Sequence, residues 1–304
     1  MTPDLRVQVG RLSLRNPVMV AAGTFGYGLE YGDLVDLSQL GAIVTKSLTL
    51  APRIGNPPPR VAETPAGMLN AIGLQNDGVE AFVLETLPRL REYGTPIIAS
   101  VAGETVEEYA KVTAKLARAE GVAALELNLS CPNQAQGGME FGVSPELTAQ
   151  VVNTVRQATD LPLIAKLTPS GGDIVATAKA AVQAGADILC LINTVPGVAV
   201  DARARQFRLV SKVGGLSGPA IKPIAQYHLW RVRQALPTTP LIGVGGISTV
   251  EDAIEFILLG AHAVQIGTAN YVQPTLATEI IQGLAEYLAA NGLSHIEAIR
   301  GVVE

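Results

Sequence analysis

Cys131 is a titratable thiol between two side-chain amides, Asn128 and Asn133, in the run A-L-E-L-N-L-S-C-P-N-Q-A-Q-G-G-M-E-F-G from Ala124 to Gly142. The first part of this run alternates apolar and polar residues as a strand does, and Pro132, with no N–H for a ladder, is expected to stop it there. Beyond it, Asn133, the glutamines and the Gly137-Gly138 pair form a polar stretch of the kind found in active-site loops. A thiol held between a strand end and such a loop can take a proton from a substrate or attack one. The plain alternative is a small buried hydrophobe, a common state for free cysteine. The strand-end position and the flanking amides argue against it.

Other residues with chemical potential fall at comparable places. Gly23, Lys46-Ser47, Ser100, Asn128, Lys166, Asn193-Thr194, Gly245-Gly246 and Gly267-Thr268 each end or follow an apolar run. Taken singly, such a lysine is ordinarily solvated and such a glycine pair is ordinarily a turn. Their joint placement is what those readings do not explain. A further stretch, N-A-I-G-L-Q-N from Asn70 to Asn76, brings two amides beside a glycine. With Asn128, Asn133, Asn193 and Thr194 it could surround a planar ligand rich in carbonyls and N–H groups, though each amide alone is as readily a loop cap.

These residues need elements to hold them. Apolar runs at Val18–Ala21, Ala42–Thr45, Ile97–Ser100, Leu125–Leu127, Leu163–Ala165, Ile188–Leu191, Leu241–Val244 and Ala263–Ile266 are each followed by a helical-period segment, which makes eight βα units. Near-continuous apolar strands are expected where helices cover both faces of a parallel sheet. Leu40-Gly41-Ala42, Ala184-Gly185-Ala186 and Leu259-Gly260-Ala261 repeat a glycine between helix and strand, where a left-handed conformation ends the helix. The pattern predicts an α/β fold, a (β/α)8 TIM barrel with an N-terminal hairpin from Leu5–Val9 and Arg11–Leu14 and inserted loops at the C-terminal face. The alternative is a doubly wound open sheet, but no G-x-G-x-x-G follows the first strand.

The totals agree with one barrel. The chain has 304 residues, 48% hydrophobic, with no linker or charge run to divide it, so residues 1–304 are expected to form a single domain. The net charge of −5 carries no basic stripe, which disfavours nucleic acid as a partner. No apolar stretch reaches the length of a membrane span and the first residues do not resemble a signal peptide, so a cytoplasmic protein is expected. Two cysteines make neither a disulfide framework nor a thiolate metal site, and the scattered His228, His262 and His295 give no metal set.

Gly245-Gly246 and Gly267-Thr268 follow the seventh and eighth strands, where barrels commonly bind phosphate through backbone N–H groups. A flavin mononucleotide suits that placement, with a lysine such as Lys166 stabilising the anionic reduced ring. The same residues also allow a phosphate-binding aldolase or isomerase with Lys166 as a Schiff-base lysine, or a non-enzymatic binding module, for which Cys131 beside paired amides would have no use.

The segments N-P-V-M-V-A-A-G-T-F-G (Asn16 to Gly26), T-K-S-L-T (Thr45 to Thr49), G-M-L-N-A-I-G-L-Q-N (Gly67 to Asn76), L-N-L-S-C-P-N (Leu127 to Asn133), L-I-N-T (Leu191 to Thr194), G-G-L-S-G-P-A-I-K-P (Gly214 to Pro223) and G-V-G-G-I (Gly243 to Ile247) resemble dihydroorotate dehydrogenases nearly end to end. Cys131 resembles class 1 members, since class 2 members have serine there and a membrane-associating N-terminal helix. L-I-N-T and G-G-L-S-G-P-A-I-K-P resemble the class 1B catalytic subunit.

The resemblance implies oxidation of (S)-dihydroorotate to orotate in pyrimidine biosynthesis, with Cys131 as general base and Lys46 and Lys166 as fixed charges. It implies one FMN per chain, contacted by Ala22, Gly23, Lys46, Ser47, Ser100, Asn128, Lys166, Ile192, Gly218, Gly245, Gly246, Gly267 and Thr268. The substrate would meet Lys46, Asn70, Ala71, Ile72, Gly73, Leu74, Asn128, Asn133, Asn193 and Thr194. Ser100 and Ala22 depart from the family's usual Asn and Ser, and Ser100 has the shorter reach. The class 1B branch implies a homodimer core in a heterotetramer with two electron-transfer subunits, which carry FAD and a 2Fe–2S iron–sulfur cluster and pass electrons to NAD. A class 1A enzyme would use fumarate instead.

Overall fold

The computed structural model describes residues 3–130, 132–133 and 139–303, with Pro132, Asn133 and Met139 described in their backbone only. In chain order the strands are Val7–Val9 (β1), Leu12–Leu14 (β2), Val18–Val20 (β3), Ala42–Val44 (β4), Val61–Thr64 (β5), Gly67–Asn70 (β6), Ile97–Val101 (β7), Val122–Asn128 (β8), Pro132–Asn133 (β9) and Met139–Glu140 (β10). They continue with Leu163–Leu167 (β11), Ile188–Leu191 (β12), Val195–Val198 (β13), Val200–Asp201 (β14), Gln206–Phe207 (β15), Val213–Ser217 (β16), Leu241–Val244 (β17) and Ala263–Ile266 (β18). Parallel pairing closes β3, β4, β7, β8, β11, β12, β17 and β18 into a ring in that order, the (β/α)8 barrel expected from the apolar runs.

Every residue of β3, β4, β7, β11, β12, β17 and β18 is buried, one face in the barrel interior and the other under helices. That explains why these strands read as unbroken apolar runs. The covering helices are Gly78–Ala81 (α1), Leu87–Arg91 (α2), Val106–Leu116 (α3), Pro145–Ala158 (α4), Ile174–Gln183 (α5), Lys222–Ala235 (α6), Val250–Leu258 (α7) and Leu276–Ala290 (α8), with a π-helical turn at Phe82–Thr86 joining α1 to α2. Their starts follow from side chains that accept otherwise unpaired N–H groups: Thr105 caps α3, Ser144 caps α4 ahead of Pro145, and Thr249 and Asp252 form a capping box on α7. In α3 the buried Tyr109, Val112, Thr113 and Leu116 recur at helical spacing and face the barrel. Among the described residues no helix is long and apolar enough to cross a membrane.

Several expectations need correction. After β3 the chain forms only the 3-10 turns Leu29–Tyr31 and Leu37–Gln39, because Gly23, Gly26, Gly28 and Gly32 oppose a longer helix. Gly185 and Gly260 do take positive φ, 109° and 110°, but Gly41 does not. It is there for close approach, since a Cβ would lie 2.3 Å from the carbonyl oxygen of Asn16. Pro132 does not terminate β8, which ends at Asn128, where the side chain accepts the N–H of Ser130 and turns the chain. Pro132 opens the two-residue β9, which pairs antiparallel with β10, and proline is tolerated at the first position of such an edge strand.

The inserted segments at the C-terminal face hold more order than loops. β13, β16, β6 and β5 form an antiparallel four-stranded sheet, with its own small core of Ala62, Leu69 and Leu209. Asn70, expected in a loop, is the last residue of β6 and pairs in register with Gly215.

Candidate active site

The barrel mouth and this sheet enclose a cavity of about 440 Å³, within the usual range for a small-molecule site. Each of Ala22, Gly23, Lys46, Ser47, Ser100, Asn128, Lys166, Ile192, Gly218, Gly245, Gly246, Gly267 and Thr268 lines it. So do Asn70, Ala71, Ile72, Gly73, Leu74, Asn193 and Thr194. Cys131 lies outside the described residues, as does the side chain of Asn133. His228, His262 and His295 are not among the lining residues. His262 accepts the N–H of Leu241, and burial, with the nearby Arg300 and Arg233, pushes its pKa down to about 4.

One side of the cavity is a network of short polar side chains. The Asn128 amide N–H donates to Ser47 Oγ at 3.1 Å, and Ser47 Oγ lies 2.9 Å from Ser100 Oγ. Asn128 Oδ1 accepts from the N–H of Ser130 at 3.2 Å and from Asn193 Nδ2 at 3.3 Å. One N–H of Asn128 is left for a ligand once those three bonds are made. Asn193 Oδ1 takes the N–H of Thr194 at 2.8 Å, while backbone bonds from Ile192 to Val244 and from Asn193 to Leu167 fix this turn between β17 and β11. Gly215 lets β16 pass close by, since a Cβ there would lie 2.1 Å from Thr194 Oγ1. On the sheet, Asn70 Nδ2 donates to the Gly215 carbonyl at 3.3 Å, leaving an N–H and its oxygen free to read a ligand.

Lys46 Nζ lies 4.1 Å from the centre of the Tyr27 ring and 3.9 Å from Asp77 Oδ2. Asp77 is 68% exposed, so this pair is weak and leaves Lys46 able to meet an incoming carboxylate. Burial raises Tyr27 to about 12, so its ring stays a neutral platform under the ammonium.

At the opposite end, Gly245 and Gly246 have φ of 129° and 76°. A Cβ on Gly246 would sit 2.7 Å from the backbone nitrogen of Lys222 and 2.9 Å from the Gly218 carbonyl oxygen, and one on Gly245 would sit 2.8 Å from Ala225 Cβ. Only glycine fits here, and its bare backbone beside the start of α6 suits an anionic group such as a phosphate. Thr268 Oγ1 donates to Ser217 Oγ at 2.7 Å on the facing wall.

Below the cavity is a cluster that the sequence reading missed. Lys166 Nζ is 3.5 Å from Glu126 Oε1 and donates to Gln265 Oε1 at 3.2 Å, while Gln265 Nε2 donates to Glu126 Oε2 at 2.6 Å. Burial opposes the charge on Lys166, and Glu126 outweighs it, so the lysine pKa is held above its ordinary value. Burial, and then the charge of Glu126, push the Cys190 thiol well up, which keeps it protonated. The signal for Glu126 was present: strand alternation that points Asn128 inward also points Glu126 inward. Thr24, beside the strand-end Gly23, also lines the cavity, as do Ser217, Gln75 and Tyr271.

This arrangement can hold a phosphate-bearing planar ligand against a buried cation and place a second, carboxylate-bearing ring among amides. The chain matches the family model described as Dihydroorotate dehydrogenase over residues 4–288. It is similar to proteins named "Dihydroorotate dehydrogenase B (NAD(+)), catalytic subunit". In Geotalea daltonii the identity is 52% over 302 residues, covering 99% of each chain. In Pelobacter propionicus it is 51% over 304 residues, covering 100% of each. In Desulforudis audaxviator it is 52% over 295 residues, covering 97% of this chain and 96% of that one. With a matching barrel and a family model spanning nearly its whole length, the chain belongs to the dihydroorotate dehydrogenase family.

Proposed function

We propose that this chain oxidises (S)-dihydroorotate to orotate in pyrimidine biosynthesis, with one FMN bound in the cavity and electrons leaving to NAD through a partner subunit. The observation that carries this reading is a single cavity with a glycine cradle at one end, a buried ammonium below and free amide groups around Asn70 and Asn128. The cradle of Gly245, Gly246, Gly218, Gly267 and Thr268 fits the phosphate of FMN, and Lys166 fits the ring where reduction adds negative charge.

FMN, when bound, supplies a two-electron acceptor for the hydride that leaves the carbon bearing the substrate carboxylate. Cys131, as thiolate, takes a proton from the neighbouring methylene and becomes a thiol, and the electron pair of the broken C–H bond forms the ring double bond. Lys46 offsets the carboxylate, and Asn70, Asn128, Asn133, Asn193 and Thr194 hold the ring flat.

The names of the relatives support a class 1B catalytic subunit. On that reading a homodimer core joins two electron-transfer subunits carrying FAD and a 2Fe–2S cluster, in the cytoplasm. The aldolase reading is weakened by the pairing of Lys166 with Glu126, since a Schiff-base lysine must be a neutral amine. The test is the absorbance of the purified chain after incubation with FMN, followed by anaerobic dihydroorotate. A flavin spectrum at one FMN per chain that bleaches on mixing is expected. A chain that takes up no flavin, or whose flavin dihydroorotate does not bleach, overturns the proposal.

A further inference from the structure

We infer that Glu126 and Gln265 are positioning residues, a carboxylate and amide strut across the barrel interior that keeps Lys166 a charged ammonium directed at the cavity. Its bearing on the flavin rests on the function proposed above. β8 and β18 stand diametrically opposite in the ring, so the 2.6 Å bond from Gln265 Nε2 to Glu126 Oε2 spans the barrel. Lys166 rises from β11, next to β8, and completes a triangle with both.

The geometry makes each charge depend on the other. The Glu126 side chain is 0% exposed and that of Lys166 is 8% exposed. Among the described residues Glu126 Oε1 has no hydrogen-bond donor, and the ammonium 3.5 Å away balances it. A buried carboxylate or ammonium without a partner is strongly disfavoured. Glu126 is the sole carboxylate among the described residues that line the cavity. Among the described residues the other titratable group facing Lys166 is Cys190, which pairs with it in register from β12 and stays a neutral thiol. Lys46, also on the cavity wall, is a cation and offers no balance. An ammonium has three N–H groups, and with one donated to Gln265 Oε1 and its charge balanced by Glu126, N–H groups remain for the cavity.

The lysine's charge is therefore set from beneath the site, leaving its front free for a ligand. The test uses the FMN-loaded protein with 13C at the lysine ε-carbons, the Lys166 resonance being assigned by its loss in Lys166→Met. Between pH 6 and 10 the parent resonance should not titrate. In Glu126→Gln its midpoint should fall by at least about one pH unit, the direction and scale that burial alone imposes. Glu126→Asp should restore part of the difference. A new break at the same pH should appear in the sulfite affinity of the flavin in Glu126→Gln, and vanish in Glu126→Gln combined with Lys166→Met.

Superimposable titrations of the parent and Glu126→Gln overturn the inference. So does a parent Lys166 that loses its proton below about pH 9, short of the ordinary lysine value of about 10.4, and this needs no variant to fold. The NMR titration also needs no flavin. A chain that binds no FMN therefore defeats the proposed function and leaves this test standing.

Discussion

Cys131 is the residue proposed to take the proton, because Lys46 and Lys166 are better used as fixed positive charges than as bases. Cys131→Ala should still bind FMN and orotate, whose proposed contacts lie on other residues. Its flavin reduction by dihydroorotate should slow by at least about 10²-fold, the lower end of what a general base contributes. Cys131→Ser should fall between and recover in part at higher pH, since a hydroxyl is a poorer base than a thiolate. Stopped-flow bleaching isolates this step from any acceptor, and a Cys131→Ala rate close to the parent's would move the base elsewhere. Lys46, Asn128 and Gly245 were legible as cavity residues because each is polar or glycine at the end of an apolar run. The tie between Glu126 and Gln265 was not, because it joins strands 139 positions apart and no local pattern pairs them, although strand alternation alone points Glu126 inward. The shorter reach of Ser100 acquires a meaning in the structure: fully buried, it bonds Ser47 Oγ, which in turn takes the Asn128 amide.

Among the elements, the barrel strands were readable because burial on both faces leaves an unbroken apolar record, whereas the sheet over the mouth was not. V-P-G-V in β13 and V-G-G-L-S in β16 carry the proline and glycines that ordinarily argue against a strand, and β16 joins this pair to β6, which lies far away in the sequence. Leu69 packs closely over Gly197, with Cδ2 3.1 Å from where a Cβ would be. Leu69 is 1% exposed and belongs to the sheet's own cluster rather than to the barrel core. Leu69→Ala should therefore cost about 2–5 kcal/mol mainly in the local opening of the sheet. Hydrogen exchange should accelerate in segments 61–70 and 213–217 while the barrel strands keep their protection. Orotate affinity should fall more than FMN affinity, because Asn70 ends β6, whereas Gly245, Gly246 and Gly267 of the glycine cradle follow barrel strands and only Gly218 adjoins the sheet. Equal acceleration in β11 and β17 would show that sheet and barrel open as one unit.

For the whole molecule, the question is where the electrons go after the flavin is reduced. A 2Fe–2S centre ordinarily takes four cysteines and this chain has two, one of them Cys190, buried in the barrel wall. NAD sites of the common kind need a glycine fingerprint between a strand and a helix, and G-x-G-x-x-G does not follow the first barrel strand, Val18–Val20. The family's ring of strand-end residues is meanwhile committed to one cavity, which FMN and dihydroorotate would fill between them. Efficient reduction of NAD should then require a second protein that brings its own relay. The FMN-loaded chain alone should pass electrons from dihydroorotate to a soluble dye much faster than to NAD, and adding the electron-transfer subunit should raise the NAD rate while leaving the dye rate largely unchanged. Rapid NAD reduction by the chain alone would contradict a divided enzyme, and rapid turnover with fumarate would place it with class 1A. The dye rate serves as the internal control, because it reports that flavin reduction is intact whatever the acceptor assay returns.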